Sequence, residues 1–180
     1  MTTVIKLISK SGDSYELPYD AACLSQVVKD AQPEEDGEVD DVEISKVESA
    51  CLAKVVEFLK HYHEDPMTEI KTPLEDNNFE GVVKQEWYRN FVTGIDRSLL
   101  FELLMAANFM SVQPLLDLAC LKVSDELMGK SPEEIRVMLN IPKMTAEEEA
   151  TARREYRWIF SDESPTAPPP AAAPAPAPEG

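Results

Sequence analysis

Residues 98–109 of the chain read SLLFELLMAANF, a segment that is apolar on nearly all sides of a helix. This pattern predicts a helix buried on most of its faces, with Asp96 or Ser98 as its N-cap. Pro114 suits the first turn of a following helix, and Gly129 suits the end of that helix. Two apolar helices in succession therefore predict a helix-rich core.

The sequence before this helix pair predicts a small sheet and a further helix. Strand-like residues on both sides of the turn-forming segment 11–13 predict an N-terminal hairpin, and residues 42–44 are long enough only for a short strand. Residues 48–63 carry apolar side chains at three- and four-residue spacing, which is typical of a helix with one buried face. We therefore predict an α/β fold of the α+β, helix-rich type with a small N-terminal sheet.

Three segments without apolar periodicity are predicted to be loops or a tail. Residues 30–43 contain eight carboxylates and no base, which predicts a solvated acidic loop, and their spacing does not follow the oxygen ligands of an EF-hand. Residues 64–84 are polar and interrupted by prolines, which predicts a flexible loop. Residues 163–180 are predicted to be a disordered Pro/Ala tail, either a spacer or, although basic anchors are missing, a ligand for an SH3 or WW domain.

Two short helices are predicted at the C-terminal end, each opened by a capping box. Ser131 precedes Glu134 by three residues, and Thr145 precedes Glu148 in the same way. These helices contain few apolar residues until Trp158 and its neighbours, so they make a poor core by themselves. Their apolar side chains either fold back onto the preceding helices or form a groove for a partner protein, because exposed apolar patches mark interaction sites.

Composition and charge exclude several classes of partner. The chain has 180 residues, with 17 basic against 34 acidic side chains, and a net charge of -17 argues against nucleic acid as the main partner. We expect no membrane span, because no apolar run approaches the roughly 20 residues that a span requires. The N-terminus lacks the pattern of a secretory signal, and three widely spaced cysteines predict small buried thiols in a reduced compartment. The expected location is the cytoplasm and nucleus.

We find no residue pattern that predicts catalysis, a cofactor or a metal centre. His61 and His63 lie two residues apart on a predicted helix, so they point to different faces and cannot share a metal ion. The sequence contains no glycine-rich phosphate loop, no nucleophile elbow and no paired-cysteine motif. The chain is therefore expected not to be an enzyme and to need no cofactor.

The segment 98–109 resembles the LFEL-x-x-AANY signature of the S-phase kinase-associated protein one family, the adaptor subunits of SCF (SKP–cullin–F-box) ubiquitin ligases. Residues 129–136, which read GKSPEEIR, continue the resemblance. At the front, IKL at residues 5–7 followed by SGD at residues 11–13 is similar to the opening of the family.

The resemblance implies a BTB/POZ-like domain at residues 1–129 that faces a cullin, followed by two F-box-binding helices of the SKP dimerisation region at residues 130–162. The implied cullin-binding residues are Phe101, Asn108 and Phe109. The implied apolar contributors to the F-box groove are Leu116, Cys120, Val123, Ile135, Ile141 and Trp158. The expected function is a non-catalytic adaptor that links F-box substrate receptors to the N-terminal domain of a cullin–RING scaffold, supporting substrate ubiquitination and proteasomal degradation.

Three departures from the family pattern leave alternatives open. Phe109 stands where tyrosine is usual, which removes a hydroxyl worth about 1 kcal/mol in a hydrogen bond. Ala146 stands where some lineages have a proline that becomes hydroxylated, and the Pro/Ala tail has no counterpart. The alternative functions are an F-box-binding structural subunit of a non-cullin complex, such as a kinetochore or vacuolar-ATPase assembly, and a self-associating BTB module. A weak homodimer of the free chain also stays open.

Overall fold

The computed structural model of the chain describes residues 3–31, 41–74, 76 and 78–157. The chain divides between Gly129 and Lys130 into a first and a second unit. Trp158, residues 32–40 of the acidic loop and the Pro/Ala tail lie outside the described residues. The α+β, helix-rich fold predicted from the sequence is confirmed.

The first unit begins with a three-stranded sheet. Its strands are β1 (Val4–Ser9), β2 (Ser14–Pro18) and β3 (Val42–Ile44). The central strand β1 runs antiparallel to β2 and parallel to β3, with Leu7 opposite Val42. Gly12 lies in the turn between β1 and β2 at φ +89°, a left-handed conformation that glycine adopts without strain. The predicted hairpin and short third strand are both confirmed.

Seven helices of the first unit lie within the described residues. They are α1 (Tyr19–Ala22), α2 (Gln26–Asp30), α3 (Ser49–Glu64), α4 (Phe79–Val82), α5 (Glu86–Thr93), α6 (Arg97–Phe109) and α7 (Gln113–Leu127). The apolar stripe predicted for residues 48–63 forms one face of α3, where Leu52, Val55 and Leu59 are fully buried. Pro114 lies in the first turn of α7, as predicted.

Phe58 lies at the centre of an aromatic cluster that joins α3 to α5. Its ring centroid lies 5.7 Å from that of Tyr62, 5.6 Å from that of Tyr88 and 5.9 Å from that of Phe91. The Phe58 side chain is fully buried, and the Tyr88 hydroxyl donates a 2.6 Å hydrogen bond to the Asp65 carbonyl. The cluster therefore buries large apolar rings while the polar atom of Tyr88 keeps a partner.

Hydrogen bonds hold α6 in place at both of its ends. The Asp96 carboxylate caps the first turn by accepting hydrogen bonds from two backbone amides, which confirms one of the two predicted caps. At the other end, the buried Ser25 hydroxyl donates a 2.7 Å hydrogen bond to the Met110 carbonyl. Because a buried hydroxyl is costly without a partner, this bond links α2 firmly to the end of α6.

The prediction that α6 is buried on most of its sides is wrong. Its buried residues are Leu100, Leu103, Ala106 and Ala107. Met105 on the opposite side is 66% exposed, and Asn108 is also exposed. α6 packs against α3 and α7, and these contacts fill only one side of the helix. An apolar helix can be covered by its own chain or left free for a partner, and periodicity does not distinguish the two.

The segment 64–84, predicted to be a flexible loop, contains side chains that are buried in the core and one short helix. Met67, Phe79 and Val83 are buried, and residues 79–82 form α4. The Gln85 side chain accepts a 2.8 Å hydrogen bond from the backbone amide of Thr68. The apolar residues of this segment do not recur at the spacing of a helix or a strand, so the sequence pattern did not show that these three side chains are buried.

The three cysteines differ in exposure, although all were expected to be buried. Cys51 is buried, Cys23 is half-buried and Cys120 is exposed. Cys120 lies on α7 away from the buried Leu115 and Leu118. The expectation is therefore wrong for Cys120, because the apolar character of α7 extends beyond the face that the first unit buries.

The second unit contains two short helices, α8 (Pro132–Met138) and α9 (Ala146–Glu155), within the described residues. Both predicted capping boxes are confirmed, at Ser131 with Glu134 and at Thr145 with Glu148. Neither helix contains a buried residue. Their stability therefore depends on local capping and ion pairs more than on apolar burial.

Candidate functional site

A cleft of about 620 Å³ lies on the exposed side of α6 in the first unit, and we call it the α6 cleft. Its lining residues are Lys46, Val47, Glu48, Cys51, Phe101, Glu102, Met105, Ala106, Asn108 and Phe109. The lining is mainly apolar, with charged side chains and one amide at the rim. An apolar depression with a polar rim is typical of a protein interface.

The spacing of side chains on α6 explains how the cleft forms. Phe101, Met105 and Phe109 follow one another at intervals of four residues, so they lie on one face of the helix. Phe101 and Phe109 are half-buried, whereas Met105 between them is the most exposed of the three. The segment after β3 and the first turns of α3 supply the remaining wall through Val47 and Cys51.

Charged groups at the rim are arranged around this apolar floor. The Lys46 ammonium lies 4.9 Å from the centroid of the Phe109 ring, a cation–π contact. The Lys10 ammonium donates a hydrogen bond to the Glu48 carboxylate, which raises the pKa of Lys10. Burial, with a smaller effect from Glu102, raises the pKa of the Cys51 thiol to about 11, so this thiol is protonated at neutral pH.

The structure brings all three residues of the expected cullin-binding set together. Phe101, Asn108 and Phe109 line the same cleft, and their role in cullin binding stays a prediction. Sequence reasoning missed Met105 in the same helix, even though its spacing from the two phenylalanines was a usable signal. It also missed Lys46 and Val47, which no local pattern connects to a helix some 55 residues later in the chain.

Three of the expected F-box-binding residues lie on one face of α7, which we call the α7 face. Leu116, Cys120 and Val123 are spaced by four and three residues, so their side chains share one side of the helix. Leu116 and Val123 are half-buried and Cys120 is exposed, which leaves apolar surface on this face. Partial burial and the nearby Asp117 raise the pKa of Cys120, which favours its neutral thiol.

The second unit contributes two more residues of the expected F-box set. Ile135 is half-buried on α8, and Ile141 is 48% exposed just after that helix. Arg136 donates a 2.8 Å hydrogen bond to Glu133, and its other terminal nitrogen donates a 3.4 Å bond to the Ile141 carbonyl. Other large apolar side chains here are exposed: Val137, Met144 and Tyr156. Trp158, the sixth residue of the set, lies outside the described residues, so the combined groove stays a prediction.

The capping boxes predict that α8 and α9 lose helical structure in acid. Hydrogen bonds from the Ser131 hydroxyl and amide lower the pKa of Glu134, and those from the Thr145 amide and hydroxyl lower that of Glu148. Because the pKa of each carboxyl group is lower in the folded helix than its usual value of 4.5, the ionised carboxylate stabilises the helix at pH values above 4.5. This contribution is lost as the pH falls below 4.5 and through the folded-state pKa. We expect the helical ¹³Cα shifts of both helices to fade in that range.

Glutamine variants provide the control for this acid effect. Glu134→Gln and Glu148→Gln retain a hydrogen-bond acceptor but cannot titrate. Each variant is expected to reduce the acid-dependent loss in its own helix and to leave that of the other helix unchanged. Identical acid titrations of wild type and variants would contradict the assignment.

The two histidines lie in different surroundings, as their spacing predicts. The His61 ring stacks on the Trp87 ring with a centroid distance of 3.7 Å, whereas His63 lines a smaller cleft of about 320 Å³ with Asp20 and Cys23. Among residues 3–31, 41–74, 76 and 78–157, no group of three or more metal-binding side chains converges. Within the same described residues, no helix combines the length and apolar content needed to cross a bilayer.

Comparison with family sequence models gives two matches in this chain. Residues 3–64 match the tetramerisation domain of the Skp1 family, and residues 113–159 match the dimerisation domain of the same family. The first match covers the sheet and α3, and the second covers α7 together with α8 and α9.

Curated relatives resemble the chain over most of its length. SKP1-like protein 12 of Arabidopsis thaliana is 37% identical over 158 residues, which cover 87% of this chain and 97% of the relative. The S-phase kinase-associated protein 1 homolog of Tetrahymena thermophila is 35% identical, covering 87% of this chain and 94% of the relative. The SCF ubiquitin ligase complex protein SKP1a of Dictyostelium discoideum is 33% identical, covering 87% and 95%.

Proposed function

The chain belongs to the Skp1 family, and we propose from this premise that it is the adaptor of an SCF ubiquitin ligase. In this role it links an F-box substrate receptor to the N-terminal domain of a cullin. The mechanism is positional: the chain holds a substrate receptor on the same scaffold as the ubiquitin-charged enzyme. We assign the chain no catalytic step and no cofactor. We place it in the cytoplasm and nucleus.

The α6 cleft is the single observation that most supports the cullin contact. An apolar floor with exposed Met105 and Asn108 offers what a partner helix needs, namely a depression for large side chains and a hydrogen-bonding amide. We assign Phe101 and Phe109 to the floor of this contact and Asn108 to its polar rim. Phe109 lacks the tyrosine hydroxyl and therefore one hydrogen bond to the partner. The Phe109 ring keeps its cation–π contact with Lys46.

The α7 face and the exposed apolar residues of the second unit support the F-box contact. Leu116 and Val123 lie on the α7 face, and Ile135 and Ile141 lie in the second unit. The Val137 side chain, for example, is 72% exposed. Removing such apolar surface from water stabilises a complex with a partner that covers it. We assign the F-box to these surfaces and to Trp158.

Calorimetry with two partners tests this function. The chain is titrated separately with an F-box peptide and with a cullin N-terminal domain, and binding of both is expected. Trp158→Ala is expected to weaken F-box binding about 30-fold, the scale of an aromatic hot spot, and to leave cullin binding unchanged. Trp158→Phe, which keeps an aromatic ring, serves as the conservative control.

Two outcomes would overturn the adaptor function in different ways. F-box binding without any cullin binding would support the structural-subunit alternative, with Phe109→Tyr as the first variant to test for a regained cullin contact. Binding of neither partner, together with a molar mass that rises with concentration, would support the self-associating module.

A further inference from the structure

We propose that Met105 is a redox-sensitive modification site, at which oxidation by a peroxide to the sulfoxide weakens binding of the partner at the α6 cleft. This inference rests on the proposed function, because it takes a cullin N-terminal domain as that partner. Family membership alone gives no reason for this contact to be regulated, and oxidation of Met105 would provide such regulation.

The position of Met105 exposes its sulfur on an otherwise apolar surface. The side chain is 66% exposed, the most exposed of the large apolar residues that line the cleft. It lies one helical turn from Phe101 and one from Phe109, so a partner that covers the phenylalanines also covers Met105. Free Met105 is therefore open to solvent, and bound Met105 lies at an apolar contact.

The chemical step changes the polarity of this side chain without breaking the chain. The thioether sulfur attacks one oxygen of hydrogen peroxide, and an S–O bond forms as the O–O bond breaks. The second oxygen leaves as hydroxide and becomes water by taking up the proton of the oxygen that is now bound to sulfur. Sulfur loses two electrons and hydrogen peroxide is reduced. The product is a polar, chiral sulfoxide, which disrupts apolar contacts formed by methionine.

The surroundings of Met105 direct the reaction to this sulfur rather than to its neighbours. Cys51 lies in the same cleft but is only 2% exposed, and burial keeps its pKa near 11, so it offers little of the thiolate that peroxides attack. Met110, just after α6, is fully buried. Met128 and Met144 are exposed, but neither lines the α6 cleft.

The test compares cullin binding before and after oxidation. The full chain is treated with hydrogen peroxide and then with a thiol reductant, which reverses reversible cysteine oxidation but leaves sulfoxides, and peptide mass spectrometry measures oxidation at each methionine. We expect oxidised wild type to bind the cullin domain about tenfold more weakly, the scale of an unpaired polar group at an interface. Methionine sulfoxide reductases are expected to restore binding.

Matched variants separate Met105 from the other methionines. Met105→Leu conserves volume and cannot be oxidised, so its cullin binding is expected to survive peroxide treatment. Met105→Gln places a polar side chain at the cleft and is expected to weaken binding without peroxide. Met128→Gln, at an exposed position outside the α6 cleft, is expected to leave cullin binding unchanged.

The outcomes distinguish this inference from the proposed function. An untreated chain that binds no cullin domain overturns the proposed function and the inference with it. Normal binding before treatment, followed by unchanged binding when Met105 is fully oxidised, overturns the inference alone. Equal losses in wild type and Met105→Leu, or a Met105 that resists oxidation while Met144 reacts, also overturn it.

Discussion

Replacing Asn108 with lysine is expected to abolish detectable binding of a cullin N-terminal domain at micromolar protein concentrations. Asn108 is exposed at the rim of the α6 cleft, where its amide can form a hydrogen bond with a partner. A lysine would place an unpaired ammonium at an apolar contact, and such a charge costs several kcal/mol, or about 100-fold or more in affinity. Calorimetric titration with the cullin domain measures the loss.

A second asparagine offers a matched control for this substitution. Asn90 on α5 is exposed like Asn108 but does not line the cleft. Asn90→Lys is expected to bind the cullin domain as wild type does, and both variants are expected to retain F-box binding and thermal stability. Equal losses of cullin affinity in the two lysine variants would show that the effect comes from the net charge. An unchanged cullin affinity of Asn108→Lys would show that the α6 cleft is not part of the cullin interface.

Replacing Phe58 with alanine is expected to cost about 3–5 kcal/mol of unfolding free energy, the usual range for a fully buried phenylalanine. Phe58 is fully buried and contacts the rings of Tyr62, Tyr88 and Phe91. Alanine loses these contacts and leaves a cavity where α3 meets α5. Urea unfolding measured by circular dichroism is expected to show a lower midpoint with an unchanged slope.

Lys60 provides the control on the same helix. Its side chain is exposed, and alanine has a high helix propensity, so Lys60→Ala is expected to change the unfolding free energy by no more than about 0.5 kcal/mol. A small effect of Phe58→Ala would contradict the central role of this ring in the core. A large effect of Lys60→Ala would show that α3 tolerates no change and that the comparison is uninformative about packing.

Local signals predicted much of the fold. The capping boxes at Ser131 and Thr145 and the stripe of α3 depend on interactions within one or two turns, and all three are confirmed. The parallel pairing of β1 with β3 joins residues about 35 positions apart, so no local pattern shows it. Burial of Met67 likewise depends on tertiary contacts rather than on periodicity.

The candidate site was predictable in part for the same reason. The expected residues Phe101, Asn108 and Phe109 lie on one helix, so helical spacing alone places them together. That α6 leaves Asn108 exposed and the two phenylalanines only half-buried was not predictable, because a helix that is apolar all round looks the same whether its own chain or a partner covers it. Lys46 reaches Phe109 only through the fold.

The most direct test of the adaptor function is the molar mass of a mixture of the chain, an F-box protein and a cullin N-terminal domain. Size-exclusion chromatography with light scattering is expected to show a complex with one copy of each, and no complex of the other two when the chain is omitted. Two separate binary complexes, in which the F-box protein displaces the cullin domain from the chain, would contradict an adaptor that holds both partners at once.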